Sequence, residues 1–166
     1  SMAIQSGGWT ISWQGTDVTH ADFPNGQTIW EALNKSVRDA GGVATLSDGG
    51  AYKEKPDVAI VVFGENPYAE FQGDVATLDY QPSEATDLAT LKKLKAAGIP
   101  VVGLFLSGRP MFTNPEINAV DAFVAGWLPG LGCGSASAGA GSSGSVLRPG
   151  SWRDSVAAEI GKVCKC

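Results

Sequence analysis

Glu65, Glu70 and Asp74, with Tyr68 among them, crowd the loop that follows the apolar run Val58-Ala59-Ile60-Val61-Val62-Phe63. That run is too uniformly apolar for a strand with one wet face and reads as a parallel strand buried on both sides. Ligands of parallel sheets collect just beyond the carboxyl ends of the strands, so these side chains stand where acid–base chemistry is commonly done. The competing reading is that the acids solvate a surface loop and cap the following helix, as charged loop residues do elsewhere.

Two further segments repeat the design of a buried strand that ends in a turn: Pro100 to Pro110 and Ala122 to Gly130. Three strand ends then share one rim of one sheet. Thr28 to Ala40 carries Ile29, Leu33 and Val37 at four-residue spacing and is closed by Gly41-Gly42, the pattern of an amphipathic helix. Ser83 to Ala97 reads as a second helix, with Ser83 as N-cap, Leu88, Leu91 and Leu94 on its apolar face and Ala97-Gly98 closing it before Pro100. Short strands are expected at Trp9 to Trp13, whose side chains alternate, and at Val43 to Leu46. The longer ones fall at Asp57 to Phe63, Val101 to Leu106 and Ala122 to Trp127. This βαβ alternation implies an α/β fold, a parallel sheet with helices on both faces.

The segments Gly7-Gly8-Trp9-Thr10-Ile11-Ser12-Trp13-Gln14-Gly15, Gly64-Glu65-Asn66-Pro67-Tyr68-Ala69-Glu70 with Gly73-Asp74, Leu106-Ser107-Gly108-Arg109-Pro110 and Ala125-Gly126-Trp127-Leu128-Pro129-Gly130 carry a resemblance. Together they resemble the second, α/β-sandwich domain of family-3 glycoside hydrolases, particularly the bacterial and plant exo-β-glucanases and β-glucosidases. The resemblance spans residues 7–130 and implies a flavodoxin-like, three-layer sandwich with a mainly parallel sheet.

It also implies roles. A retaining glycosidase needs one carboxylate to attack the anomeric carbon and a second, about 5 Å away, to protonate the leaving oxygen and then activate water. In these enzymes the nucleophile is an aspartate on a preceding (β/α)8-barrel domain, and the acid/base glutamate comes from a loop of the domain this chain resembles. By position that glutamate is Glu70. Trp13 matches the place where family exo-glucanases offer an indole face to the sugar beyond the scissile bond, since the C–H face of a pyranose packs on an aromatic plane. Trp9 and Trp13 would share one strand face, one in the core and the other the platform. Glu65 is expected to orient the loop and Arg109 to tie loops together through its planar donors. Tyr68 and Asp74 complete the supporting set, and no cofactor or metal is implied.

Two departures from the family matter. Its members place a further strand before the Gly-Gly-Trp segment, central in the flavodoxin-like order, for which this chain has no room. The resulting edge is expected to be filled by a second copy, as a homodimer. After Gly130 the family continues with Ser-Glu-Gly and a helix, whereas Leu131 here begins a Gly/Ala/Ser tract with the composition of a linker or an out-of-frame reading. Residues 1–130 are then the family-like domain, 131–150 a linker and 151–166 a terminal amphipathic helix with Ser151 as N-cap and Trp152, Val156, Ile160 and Val163 on one stripe. With no barrel, the chain is expected to bind a β-glucan or β-glucoside weakly if at all. Turnover would need a barrel-domain partner, and the Asn66 to Asp74 loop would be mobile and exposed. The alternative is a non-catalytic module that self-associates or binds a small ligand.

Composition excludes other classes. A net charge of −5 with only 12 Lys and Arg gives no basic surface for nucleic acid. No apolar run approaches the roughly 20 residues of a membrane helix, and Ser1 to Gln5 lacks the basic and apolar regions of a signal peptide, so the sequence assigns no location. Gly132 to Gly144 lacks the Lys-Ser/Thr of a phosphate-binding loop. Cys133, Cys164 and Cys166 are odd in number and Cys164-Lys165-Cys166 is too tightly spaced for a structural zinc site. His20, the single histidine, has no partner pattern and reads as exposed.

Overall fold

In the computed structural model, which describes residues 1–80, 86–131 and the backbone of 145–147, three strands run parallel: β1 (Ala59–Gly64), β2 (Val101–Leu106) and β3 (Ala122–Ala125). β2 is central between them and is buried at every position. Gly64 pairs with Leu106 and Phe105 with Ala125, so the three carboxyl ends open onto one rim. A short β4 (Ser145–Leu147) adds antiparallel to β3, inside the stretch read from sequence as a linker. The expected helix over 151–166 and all three cysteines lie outside the described residues.

Alternation along β2 builds the layers, because successive strand side chains point to opposite faces. Val102, Leu104 and Leu106 meet α2 (Ile29–Asp39) through Ile29 and Ala32, while Val101 and Phe105 meet Leu91 and Leu94 of α3 (Thr86–Ala96) on the other face. α2 begins at a capping box, in which Thr28 Oγ1 accepts from Glu31 N at 3.1 Å and Glu31 Oε2 accepts from Thr28 N at 2.8 Å. Both helices end in the same way. Gly41 and Gly98 take φ of +81° and +66°, and the next residue's N–H reaches back to Val37 O and Leu94 O, a closure that favours glycine. The short α4 (Asn114–Asn118) packs beside α3.

α1 (Met2–Ser6) is held by a buried amide. Gln5, 2% exposed, donates from Nε2 to Gln27 O and Gly130 O, both at 3.2 Å, and accepts from Ile29 N at 3.0 Å. One side chain thereby joins the start of the chain, the entry to α2 and the segment after β3. Gln5→Leu leaves these backbone groups without partners. It is expected to cost about 2 to 3 kcal/mol, and a thermal melt that does not move contradicts this.

Two expected strands are absent. Trp9 to Trp13 folds back on itself: Trp9 and Ile11 have φ of +60° and +66°, and Trp9 N donates to Trp13 O at 2.8 Å. The alternation of side chains there mimicked a strand, but left-handed residues break the extended path. As a result Trp9 and Trp13 are both exposed, and neither is a core residue. Val43 to Leu46 is also not a strand, with Val43 91% exposed. β1 lies at the sheet edge, and no described strand stands beside Val43 to Leu46 to take its backbone groups out of water. The third strand stops at Ala125 rather than Trp127, whose φ is +53°.

Candidate active site

Glu65 extends the ladder one residue past β1, its N–H donating to Leu106 O at 3.0 Å. Its carboxylate is already committed. Oε1 accepts from Arg109 Nε at 2.9 Å and from the second Arg109 donor at 2.8 Å, and Oε2 accepts from Ser107 Oγ. Arg109 also donates to Gly73 O at 2.5 Å and lies over the Tyr68 ring, 4.2 Å from its centre. The guanidinium fork therefore joins the ends of β1 and β2 to both limbs of the Asn66 to Asp74 loop, as a planar multi-donor group can. Burial, and then the Glu65 charge, push the Tyr68 hydroxyl up from its ordinary pKa.

The loop is fastened on its other side by residues 7–15. Gly8 lies so close to it that a Cβ there would fall 2.0 Å from Tyr68 O. Gln14 bridges the two segments, accepting from Ala69 N at 2.7 Å and donating to Glu70 O at 2.9 Å. The Glu70 carboxylate is exposed at the tip, as expected from sequence, and the number of ties to its loop exceeds that expectation. Gln14 and Ser107 lay within quoted motifs but had no recognisable role in the sequence.

Trp13 Nε1 donates to Glu70 Oε2 at 2.9 Å, which pairs two of the residues singled out in the sequence. This bond first, then a backbone N–H of Glu70 itself and a smaller contribution from Trp9, hold the Glu70 carboxyl below the usual glutamate pKa. Glu65, Tyr68 and Arg109 form a second cluster beneath it. Asp74 joins through its backbone, N–H to Phe71 O at 3.2 Å, and is exposed. His20 lies apart in a 3-10 turn and is exposed. Among the described residues no group of three or more His, Cys, Asp or Glu is arranged to hold a metal.

Exposed aromatic residues surround Glu70. Trp9 and Phe71 are 68% and 74% exposed, and the Trp13 ring is 6.1 Å from Trp9 and 5.8 Å from Phe71, the latter edge-on at 83°. Trp9, Ile11, Phe71 and Trp127 are the non-glycine residues with positive φ among those described. The left-handed conformation costs an L-residue about 1 to 2 kcal/mol. All four stand in the segments that follow the strand ends or pack against them, where such strain marks functional sites.

Acid should weaken several of these contacts together. The pKa values of Glu70, Asp22 and Glu31 are all lowered, first by hydrogen bonds from Trp13, Thr19 and Thr28 respectively. A carboxylate depressed in the folded state contributes stability that is fully present above its unfolded value and is lost as pH falls through the folded one. The melting temperature is therefore expected to fall on acidification below about pH 4.3, and Trp13→Phe to move the Glu70 titration, followed by carboxyl NMR, upward. A Glu70 titration that Trp13→Phe leaves in place contradicts the assignment.

The described fold is an α/β sandwich with a carboxylate and an indole bonded on its strand-end rim, and the comparisons name its family. The profile of the glycosyl hydrolase family 3 C-terminal domain matches residues 1–140. The chain belongs to that family. It is similar to the lysosomal beta glucosidase of Dictyostelium discoideum, 30% identical over 147 residues, which covers 78% of this chain and 17% of that protein. Its fold is similar to the crystal structure of the exo-1,3/1,4-beta-glucanase ExoP from a Pseudoalteromonas species, with a TM-score of 0.76 and 56% identity over 79% of this chain and 16% of that one. A Q683A mutant of the same glucanase gives the same TM-score and identity. The chain thus spans about a sixth to a fifth of the length of these relatives.

Proposed function

We propose that this domain supplies the acid/base of a retaining β-glucan or β-glucoside hydrolase, with Glu70 in that role, Trp13 as the sugar platform, and Glu65, Tyr68, Asp74 and Arg109 holding the loop. The observation that carries the reading is the exposed Glu70 carboxylate bonded to the Trp13 indole on the strand-end rim. The same observation argues against turnover by the domain alone. A general acid needs a pKa raised by burial and by a neighbouring carboxylate, whereas Glu70 is exposed and its pKa is lowered. Glu65 cannot be the second carboxylate of the pair, since Arg109 and Ser107 occupy both of its oxygens. The nucleophile and the cover that raises the Glu70 pKa must come from a barrel domain. The test is an aryl β-glucoside assay of the chain with and without a family-3 barrel domain, for the native sequence and Glu70→Gln. Turnover by the chain alone contradicts the reading.

A second reading has one observation in its favour. Among the described strands β1 is an edge of the sheet, and Val62 on it is 42% exposed without a charged residue or proline on the strand to guard it. Pairing of β1 with β1 of a second copy about a two-fold axis would cover both edges at once. Sedimentation over a wide concentration range is expected to show a dimer, which Val62→Lys dissociates. Monomer throughout contradicts it.

A further inference from the structure

Phe71 is the most exposed of the four described non-glycine residues with positive φ. The residue is 74% exposed and contributes little to the core. Its φ of +72° suits glycine or asparagine and strains a bulky side chain. The turn around it is closed by its own backbone: Gly73 N donates to Ala69 O at 2.8 Å, Gln72 N to Glu70 O at 3.0 Å and Asp74 N to Phe71 O at 3.2 Å. The backbone that carries the ring is therefore held by the turn itself. Phe71 follows Glu70 in the chain, and its ring meets the Trp13 ring edge-on, centroids 5.8 Å apart, so the two ring planes stand nearly at a right angle.

We infer that Phe71 is a specificity-determining residue, the second wall after Trp13 for a glucan chain, and that it selects β-linked oligosaccharides over single glucosides. The inference rests on the reading of the Glu70 rim as a sugar site. Aromatic walls suit the C–H faces of pyranoses, and two walls at a right angle offer a surface to a second sugar that a single glucoside does not reach. The carboxylates of Asp17, Glu70 and Asp74 lie exposed on the neighbouring loop segments and disfavour an anionic ligand, whereas a neutral polyol meets no such repulsion. A protein surface packed on the same ring is the rival occupant. It is the less favoured because the pair of rings adjoins the carboxylate that Trp13 holds.

The test uses the full 166-residue chain and reads binding, so it does not depend on turnover and can fail or succeed separately from the acid/base assignment. Tryptophan fluorescence and calorimetric titrations would compare methyl β-glucoside with a β-1,3-linked glucotriose. The native chain is expected to prefer the trisaccharide by about five-fold, the scale of one aromatic stacking contact. Phe71→Ala should reduce that preference below about two-fold while leaving the weak affinity for methyl β-glucoside in place, and Phe71→Tyr should retain it. A purely structural role would instead lower the melting temperature without changing the ratio of affinities. Absence of any preference in the native chain, or its persistence in Phe71→Ala, overturns the proposal. So does a shift in self-association as the sole effect of Phe71→Ala, which would assign the ring to a protein contact.

Discussion

Joined to a family-3 barrel domain, or mixed with one, this chain is expected to give β-glucosidase turnover that Glu70→Gln lowers by about 10²- to 10⁴-fold, the range of a positioned general acid. The size of the effect follows from what Glu70 lacks on its own. Its carboxyl is exposed, bonded to Trp13 and acidic, the opposite of a group kept protonated at neutral pH. A covering surface with a second carboxylate about 5 Å away would desolvate Glu70 and repel its charge, and both effects raise a carboxyl pKa. Glu65→Gln is expected to act differently, through the loop's position, because Glu65 faces Arg109 rather than the open rim. Full activity of Glu70→Gln in the reconstituted enzyme contradicts the assignment.

The second large effect concerns stability. Arg109 and Glu65 are 19% and 11% exposed and pair at 2.8 Å, so removal of one partner leaves a mostly buried charge without its counterion. Arg109→Met is expected to cost about 3 to 5 kcal/mol, a fall of roughly 6 to 20 °C in melting temperature for a chain of this length. The double variant Glu65→Leu/Arg109→Met should be less destabilised than the sum of the single changes, because it removes both charges together. Arg109→Lys retains the charge and loses the fork that reaches Glu65 and Gly73 at once. It is expected to fall between the native chain and Arg109→Met. Equal melting temperatures for the native chain and Arg109→Met, measured by circular dichroism, contradict this account.

The central strands and helices were legible because their signals are local. Val101 to Leu106 is an uninterrupted apolar run, and Gly41 and Gly98 mark helix ends in the sequence as plainly as in the structure. Glu70 and Trp13 were singled out through separate motifs, and the structure joins the two by a hydrogen bond. The hairpin-like shape of Trp9 to Trp13 was not legible, since a period of two describes its side chains equally well whether the backbone is extended or folded back. Val43 to Leu46 has strand composition and no described strand to pair with, and pairing is a property of the sheet rather than of the segment. Gln5 and Gln14 were silent for a third reason. A glutamine carries no periodic signal, and their bonds reach residues as distant as Gly130 and Ala69, so only the folded chain gives them a role.

The most direct measurement of the Glu70 assignment is azide rescue in the barrel-completed protein. Glu70→Ala should still form the glycosyl-enzyme from an aryl glucoside with a good leaving group, which needs little protonation, and then stall because no base activates water. Azide needs no base. It is expected to restore turnover and release a β-glucosyl azide. Absence of rescue, or release of the α-azide that marks loss of the nucleophile, would show that Glu70 is not the acid/base.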